Sequence, residues 1–408
     1  MSTPRYRQLA AELRRMIKGG VLAHGDRLPS VRALARAKRV SVTTALEAYR
    51  LLEADGSIEA RPRSGFYVCF KPPSGSVRME VAGWRQPVPA RLTDTMPRML
   101  AEHSDSGFVV LSTASSDPNL LPAGMLERAT RDILRKNYRQ FTGYGDPQGD
   151  MILRRQIVDI MLERGVVASP ADITVTSGCQ EALYLALNAI SSPNQIVAVE
   201  SPTYPGLLHV LHALGLKVLE IPSDTRTGID LDALDSALDD TPIAACYVTP
   251  RCSNPIGSSM PVDHGKRLYA MACAHDFKII EDDANWGLSY SATEPPTIKS
   301  LDENRRVLYC SSLSKTLSPG LRVGWLVADK DARRIAESKY VLNLGGVPLS
   351  QLAAARYLSQ RRFKAVVDAN RSIHAKSVAA LRRAVLNHFP QGTETTDPEG
   401  GVVIWVRL

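Results

Sequence analysis

The sequence lacks any apolar run long enough to cross a bilayer, which argues against a membrane protein or a membrane partner. Its first residues, MSTPRYRQLAAELRRMIKGG, carry charges throughout and lack the apolar centre of a secretory signal peptide. The six cysteines are scattered, without the paired spacings of a zinc site or a disulfide framework. These absences predict a cytoplasmic protein that binds no metal and whose cysteines serve in packing.

The positive charge is concentrated at one end of the chain. With 408 residues, 44% of them hydrophobic, the chain can bury substantial cores and is expected to form at least two domains. Residues 1–70 hold 13 Lys or Arg against 6 Asp or Glu, and so carry +7 of the net charge of +8. Such a local excess is typical of a domain that binds a polyanion, although a solvated basic face would have the same charge.

Helical periodicity organises this basic segment. YRQLAAELRRMIKGG has apolar residues three and four apart and predicts a first helix that ends at Gly19-Gly20. LPSVRALARAKR predicts a second, short helix with Ser30 as N-cap. VSVTTALEAYRLLEADG predicts a third helix capped by Ser41, with Val42 among its inward-facing residues.

Two short β-rich runs, SIEA and FYVCF, flank the basic turn RPRSG and predict a β-hairpin wing. Three helices and a wing make a winged helix-turn-helix, whose third helix enters the major groove of DNA. Through LPSVRALA, VSVTTALEAYRLLEADG and RSGFYV the segment resembles the GntR family of bacterial regulators, although many members carry an arginine where this chain has Val42. The resemblance implies that the following residues lie at or near double-stranded DNA: Arg32, Ser41, Thr43, Thr44, Arg61 and Gly65.

After residue 70 the sequence pattern changes. Residues 71–107 contain prolines, glycines and mixed charge without a sustained period, which predicts a linker with a short helix near residues 98–102. From residue 108 to 408, β-rich runs such as DITVTSG, QIVAVE and KIIEDD alternate with helical runs such as CQEALYLALNAI. This alternation predicts an α/β domain with a mostly parallel sheet, in which ligands bind at the carboxyl ends of the strands.

Chemically distinctive side chains follow several of these strands. Lys315, in SSLSKTLSPGLRVGW, could form an imine with the aldehyde of pyridoxal 5'-phosphate, and Asp282 could keep the ring nitrogen of that cofactor protonated. A helix N-terminus, hydroxyls and an arginine suit its phosphate, an aromatic ring its face and an amide its ring oxygen. The alternative is a structural, hydroxyl-rich turn around Lys315. The further predicted members are Gly178, Cys179, Ser312, Ser314 and Arg322 at the phosphate, with Gln180 in the same turn, Tyr204 at the ring face and Asn254 at the ring oxygen.

From about Phe108 onward the chain resembles the fold-type I, aspartate aminotransferase-like family in six stretches: YGDPQG, TSGCQEAL, ESPTYPG, SNPIG, EDD and SLSKTLSPGLRVGW. The resemblance implies that Tyr144 reaches the cofactor phosphate of the partner subunit, and therefore implies a homodimer. A GntR-like domain ahead of such a domain resembles the MocR subgroup of transcriptional regulators. That arrangement implies a DNA-binding regulator whose cofactor domain senses an amino-acid-like ligand or a vitamin B6 species.

Two departures from the family bear on turnover. Ala284 and Asn285 stand where the family usually has a tyrosine that assists the ring oxygen. The sequence ends at GGVVIWVRL, which is typical of an early strand of the small domain and precedes the family's arginine for the substrate carboxylate, so an incomplete C-terminal small domain is expected. A working aminotransferase with an accessory DNA-binding domain remains the alternative function.

Overall fold

The structure is a computed structural model that describes residues 4–18, 22, 25–54, 57–61, 64–68, 86–91, 111, 114–136, 138–291, 295–360 and 363–408. The chain divides into two units, one formed by Met1–Val77, Ser377–Asp397 and Val406–Leu408, and the other by Arg78–Lys376 and Pro398–Trp405. The short helix expected near residues 98–102 lies outside the described residues, as does all of the predicted linker except residues 86–91.

The N-terminal elements follow the predicted periodicity. They are α1 (Arg5–Lys18), α2 (Val31–Lys38), α3 (Val42–Ala54) and the antiparallel strands β1 (Ile58–Arg61) and β2 (Gly65–Val68). Ser30 caps α2 by accepting a hydrogen bond from Ala33 N–H at 3.2 Å, and Ser41 caps α3 by accepting one from Thr44 N–H at 3.0 Å. The predicted winged helix-turn-helix is confirmed, and its helices and wing share a buried core that includes Leu13, Ile17, Tyr49, Leu52 and Val68.

One residue of α3 departs from the predicted pattern. The prediction that Val42 faces inward is wrong, because its side chain is 51% exposed. The apolar period extends back to Val42, but the first buried residue of α3 is Ala45. The buried face therefore begins one turn later than the sequence suggests, and Val42 belongs to the outer surface of the first turn.

The remaining elements form an α/β architecture. In chain order they are β3 (Val88–Pro89), α4 (Ala123–Lys136), α5 (Tyr138–Phe141), α6 (Met151–Glu163), β4 (Ile173–Thr176), α7 (Cys179–Ile190), β5 (Ile196–Ser201), α8 (Pro205–Ala213), β6 (Lys217–Asp224), β7 (Gly228–Ile229), α9 (Leu231–Leu238), β8 (Ala245–Val248), α10 (Val262–Ala274), β9 (Lys278–Asp282), β10 (Val307–Ser312), β11 (Gly324–Val327), α11 (Ala332–Asn343), α12 (Pro348–Leu358), α13 (Phe363–His388), β12 (Glu394–Thr395) and β13 (Val406–Arg407).

The main sheet has the strand order β3, β6, β5, β8, β9, β10, β11, β4, with β7 paired to β6. The five central strands, from β6 to β10, run parallel, and the strands at both ends of the order pair antiparallel. Strands β8 and β10 are buried along their whole length, as expected of a sheet covered on both faces. The predicted mostly parallel α/β sheet is confirmed, and the antiparallel strands at its ends make it a mixed sheet.

Two short strands lie where the sequence offered little pattern. Val88–Pro89, within the predicted linker, pairs with residues 217–218 of β6 at the edge of the sheet. Val406–Arg407, at the end of GGVVIWVRL, pairs with Glu394–Thr395. None of the helices among the described residues is both long and apolar enough to span a membrane.

Candidate functional site

The carboxyl ends of the parallel strands meet at one edge of the sheet and enclose a cavity of about 220 Å³. The turns after β4, β8, β9 and β10 contribute to its lining. Of the residues predicted for the cofactor, the cavity brings together Cys179, Gln180, Tyr204, Asn254, Asp282, Ser312, Ser314, Lys315 and Arg322.

Lys315 lies in the turn that joins β10 to the antiparallel β11. Its Nζ atom donates a hydrogen bond to the carbonyl oxygen of Ala114. Burial lowers the pKa of the Lys315 amine, and the negative charge of Asp282 opposes that change. A lowered pKa increases the neutral fraction of the amine, which is the form that attacks an aldehyde.

Asp282 ends β9 and is almost completely buried. Its Oδ1 atom accepts hydrogen bonds from the Cys179 thiol at 3.3 Å and from Ala284 N–H at 3.0 Å. Its Oδ2 atom accepts one from the Tyr247 hydroxyl at 2.8 Å. Burial raises the pKa of Asp282, whereas these three donors stabilise the carboxylate and oppose the rise.

Gly178, also predicted for the phosphate, is not part of the cavity lining but lies against Arg322, which is, at the N-terminus of α7. Gly178 has φ 86° and ψ 176°, in a region that is nearly restricted to glycine. A Cβ atom there would lie 2.3 Å from Nη2 of Arg322. That nitrogen donates a hydrogen bond to the carbonyl oxygen of Ser177 at 2.8 Å. The absence of a side chain at residue 178 thus lets a guanidinium lie against a helix N-terminus, an arrangement that suits an anion.

The thiol of Cys179 points to Asp282 instead of toward the phosphate position that the sequence suggested for this residue. Burial and the neighbouring Asp282 raise the pKa of the thiol, so it is a neutral donor. The first N–H groups of a helix have no intrahelical partner. The backbone N–H of Cys179 could therefore donate a hydrogen bond to an anion, while its thiol donates one to the carboxylate of Asp282.

The aromatic and amide residues line another part of the cavity. The ring of Tyr204 approaches Gly206 so closely that a Cβ atom at 206 would lie 2.3 Å from its Cζ atom. Burial raises the pKa of Tyr204 to about 12, which keeps its hydroxyl protonated. Gln180 donates from Nε2 to the carbonyl oxygen of Gly206 at 2.7 Å, and Asn254 lines the same cavity.

Tyr144 is not brought into this cavity. Its side chain is 88% exposed, and its assignment to a partner subunit stays a prediction. Ala284 and Asn285 do line the cavity, but neither supplies a phenolic hydroxyl. The amide of Asn285 donates a hydrogen bond to the carbonyl oxygen of Cys252 at 2.8 Å. This bond holds the Asn285 side chain against the wall of the cavity.

The cavity also contains residues that the sequence analysis missed: Ala114, Leu183, Tyr247, Thr249 and Pro319 are part of its lining. Ala114 accepts a hydrogen bond from Lys315, Tyr247 donates one to Asp282, and Thr249 donates one to Tyr247. The position of Tyr247, near the end of a parallel strand, is the one signal that could have revealed it. Ala114 gave none, because it lies in a segment without periodicity.

The carboxylate of Asp283, the residue after Asp282, has its own set of hydrogen-bond donors. Asp283 Oδ2 accepts hydrogen bonds from Arg164 at 2.8 Å, Arg251 at 3.0 Å and the Tyr309 hydroxyl at 2.7 Å. Burial alone would raise the pKa of Asp283, but the two guanidinium groups hold it below its usual value. This buried cluster fixes the backbone that presents Asp282 to the cavity.

In the N-terminal unit, some of the residues predicted to contact DNA are exposed, and others form hydrogen bonds within the protein. Arg32 and Thr43 are exposed on α2 and α3. The hydroxyls of Ser41 and Thr44 hydrogen-bond to each other at 2.8 Å, and Ser41 also caps α3. Thr44 is therefore only partly directed outward, and the helix cap occupies an acceptor position of Ser41.

The wing holds Arg61 in a defined orientation. Its Nε atom donates to Glu59 at 2.6 Å, and its guanidinium lies 4.4 Å from the centroid of the Tyr67 ring. Gly65, with φ 112°, begins the second strand of the wing in a conformation that favours glycine. The contacts of these residues with DNA stay predictions.

The chemistry of the cavity fits pyridoxal phosphate. It offers a partly buried amine, a buried carboxylate and an arginine at a helix N-terminus, next to a cradle that a Cβ atom at residue 178 would fill. Among the described residues, no three His, Cys, Asp or Glu side chains are grouped to hold a metal ion. Together with the winged helix-turn-helix, this fold and site define a class: a DNA-binding protein with a fold-type I aminotransferase-like domain.

Comparison with known proteins agrees with this class. Residues 113–408 match the family aminotransferase class I and II, and residues 5–68 match the bacterial regulatory proteins of the gntR family. The uncharacterized HTH-type transcriptional regulator YjiR of Escherichia coli K12 is 37% identical over 99% of this chain and 86% of its own length. The probable rhizopine catabolism regulatory protein MocR of Rhizobium meliloti is 28% identical over 99% of this chain and 82% of its own length.

Among solved structures, the kynurenine aminotransferase of Pyrococcus horikoshii is similar with a TM-score of 0.72 and 29% identity, over 78% of this chain and 80% of that one. The α-aminoadipate aminotransferase LysN of Thermus thermophilus gives a TM-score of 0.71 and 26% identity over the same shares. The chain therefore belongs to the HTH-type transcriptional regulators that join a gntR-family domain to an aminotransferase class I and II domain, the MocR-type arrangement that its sequence resembles.

Proposed function

We propose that the chain works as a cytoplasmic homodimer that binds double-stranded DNA through residues 1–70 and pyridoxal 5'-phosphate through residues 108–408, with residues 71–107 as linker. At the cofactor it senses an amino-acid-like ligand or a vitamin B6 species. The observation that carries this proposal is the shared cavity of the Lys315 amine and the Asp282 carboxylate in a chain with a gntR-family domain.

The cavity residues would divide the work of holding the cofactor. Lys315 would bind it covalently, and Asp282 would hold a proton at its ring nitrogen. Arg322 and the N-terminus of α7 would bind the phosphate, together with the hydroxyls of Ser312 and Ser314. The bound group supplies an aldehyde that captures primary amines, which is why an amino-acid-like ligand is expected.

The role of Lys315 is tested by reducing the protein with borohydride in the presence of the cofactor and mapping the labelled peptide. Lys315→Ala should abolish the visible absorption of the bound cofactor. Lys339→Ala is the matched control, because burial also lowers the pKa of Lys339, whose amine donates to Pro147 at 2.9 Å outside the cavity. Persistent absorption in the Lys315 variant would refute the assignment.

DNA binding through residues 1–70 is supported by their net charge of +7 and by the exposure of Arg32 and Thr43. Each phosphate neutralised by a cation releases counterions, so the affinity for a promoter fragment should fall steeply as salt rises. The measurement is a fluorescence-anisotropy titration at several salt concentrations. Binding that does not respond to salt, or no binding, would count against this part of the proposal.

A homodimer is supported by the exposure of Tyr144, which lies outside the cavity of its own chain. It is also supported by apolar side chains exposed on α11: Tyr340, Val341 and Leu342 are 53%, 83% and 50% exposed. If Tyr144 serves the partner's cofactor, Tyr144→Phe should weaken cofactor binding at both sites. Mixed dimers of Tyr144→Phe and Lys315→Ala chains would contain one intact site and should regain tight binding. A mixture that binds no better than the two variants measured separately would contradict the exchange of Tyr144.

Sensing and turnover are separated by incubating the holoprotein with amino acids and keto acids. A regulator requires that the ligand bind two states of the protein with different affinity, and a single exchange without sustained turnover is sufficient for it. Sustained transamination would favour the alternative, an aminotransferase with an accessory DNA-binding domain. The presence of Ala284 and Asn285 in place of the tyrosine usual in the resembled family supports the sensor.

A further inference from the structure

Asp282 is surrounded by hydrogen-bond donors of the protein. A carboxylate offers about four acceptor positions. Among the described residues, Cys179 and Ala284 use two positions on Oδ1, and Tyr247 uses one on Oδ2. Oδ2 therefore retains one position for a further donor.

The donor on Oδ2 is itself held by a chain of hydrogen bonds. Tyr247 is fully buried, and its hydroxyl oxygen accepts a hydrogen bond from Oγ1 of Thr249 at 3.1 Å. Because that oxygen already accepts from Thr249, its own proton is directed to Asp282, 2.8 Å away. Thr249 is fixed in turn, since its N–H donates to Oε2 of Glu200 at 2.9 Å.

We propose that Tyr247 is a positioning residue for the ring nitrogen of the cofactor. Its hydrogen bond stabilises Asp282 as a carboxylate, fixes the rotation of that carboxylate, and reserves the remaining position on Oδ2 for the protonated ring nitrogen. This inference rests on the proposed binding of pyridoxal phosphate. It adds a residue of this chain that controls how strongly the ring is held and protonated.

A purely structural role for Tyr247 makes a different prediction. If its hydroxyl merely satisfies a buried carboxylate, its removal would weaken every ligand of the cavity to the same degree, because the whole wall would loosen. If it acts through Asp282 on the ring nitrogen, the loss depends on that nitrogen. An analogue of pyridoxal phosphate with carbon in place of the ring nitrogen separates the two cases.

The experiment measures equilibrium binding of pyridoxal phosphate and of this analogue to the full chain, wild type and Tyr247→Phe, by absorption and fluorescence titration. A hydrogen bond to a charged group contributes enough that its loss should weaken pyridoxal phosphate about tenfold or more. The analogue should be weakened less than about twofold, because it presents no proton to Asp282. The pH at which the visible absorption of the bound cofactor changes should also shift in the variant.

Tyr309→Phe is the matched control. It removes the hydroxyl of another fully buried tyrosine, which donates to the neighbouring carboxylate of Asp283 at 2.7 Å. Any loss of affinity in this variant should be the same for both ligands. If Tyr247→Phe does not fold, Thr249→Val replaces it, and pyridoxal phosphate should then be weakened about threefold more than the analogue.

Equal losses for both ligands in Tyr247→Phe, or no loss, would overturn the inference while leaving the proposed cofactor binding intact. Failure of the wild-type chain to take up pyridoxal phosphate would overturn both. A loss confined to the ligand that carries the ring nitrogen supports the positioning role.

Discussion

Replacing Gly178 by alanine should impair the cofactor site more than it impairs folding. The backbone at φ 86° and ψ 176° is nearly restricted to glycine, and a side chain there costs about 1–3 kcal/mol. The added Cβ atom would lie 2.3 Å from Nη2 and 2.8 Å from Cζ of Arg322, so the guanidinium must move. Its hydrogen bond to Ser177 would break, and with it the alignment of the charge at the N-terminus of α7.

The loss of a hydrogen bond between the Arg322 guanidinium and a bound phosphate corresponds to about 1.5–3 kcal/mol of binding free energy. If Arg322 binds the phosphate, the dissociation constant of pyridoxal phosphate should rise by about 10- to 100-fold. Absorption titration gives that constant, and urea unfolding of the cofactor-free protein gives the stability.

Gly215→Ala is the matched control. Gly215 also has a positive φ, 66°, but the nearest atom to an added Cβ would be Cβ of Pro193 at 3.6 Å, an ordinary contact. Both variants should therefore lose about 1–3 kcal/mol of stability from backbone strain. The loss of cofactor affinity should occur in Gly178→Ala alone. If the two variants bind the cofactor equally well, the argument that Gly178 makes room for Arg322 is refuted.

Three further predictions concern other parts of the molecule. Burial raises the pKa of Glu200 from 4.5 to about 7. Between these two pH values the carboxyl group is ionised in the unfolded chain but still protonated in the folded one. The contribution of Glu200 to the free energy of unfolding should therefore fall from pH 4.5 to pH 7 and stay constant above pH 7. The stability of Glu200→Gln relative to wild type should rise by about 2–3 kcal/mol between pH 5 and pH 8 in urea unfolding, and a difference that does not change with pH would contradict the raised pKa. Val42, exposed on the first turn of α3, can meet the methyl group of a thymine, so Val42→Ala should reduce the preference for thymine over uracil at one operator position; an unchanged preference would exclude that contact. Arg61→Ala should weaken binding to all DNA sequences alike and reduce the slope of the salt dependence by about one, as measured by anisotropy.

Much of the fold could be predicted because local rules and tertiary packing agree. The helices of the N-terminal unit follow the apolar period, and Ser30 and Ser41 cap them as their positions suggest. Strands such as Ile196–Ser201 and Val307–Ser312 are apolar runs that end in polar residues. Since parallel strands direct their carboxyl ends to one edge, the sequence alone is sufficient to expect Asp282 and Lys315 in one cavity.

Side-chain direction was harder to predict. Val42 continues the apolar period of α3, but packing begins only at Ala45. The sequence places Cys179 at a helix N-terminus, where its backbone suits an anion. Nothing in the sequence indicates that its thiol points to Asp282, because that contact joins residues 103 positions apart.

Asp282 ends β9 and Asp283 follows it, and the different roles of their carboxylates depend on strand register, which the sequence does not reveal. Tyr247 of β8 pairs with Ile280, two residues before Asp282, whereas Tyr309 of β10 pairs with Glu281, two residues before Asp283. This offset of one residue gives each tyrosine a different carboxylate, and successive side chains of a strand point to opposite faces. Asp282 is thereby directed to the cavity and Asp283 to its arginine cluster. A slip of one residue in either pairing would exchange the faces and leave a buried carboxylate without its donor. The same register that builds the core therefore also separates the carboxylate that can meet a ligand from the one that anchors the strand.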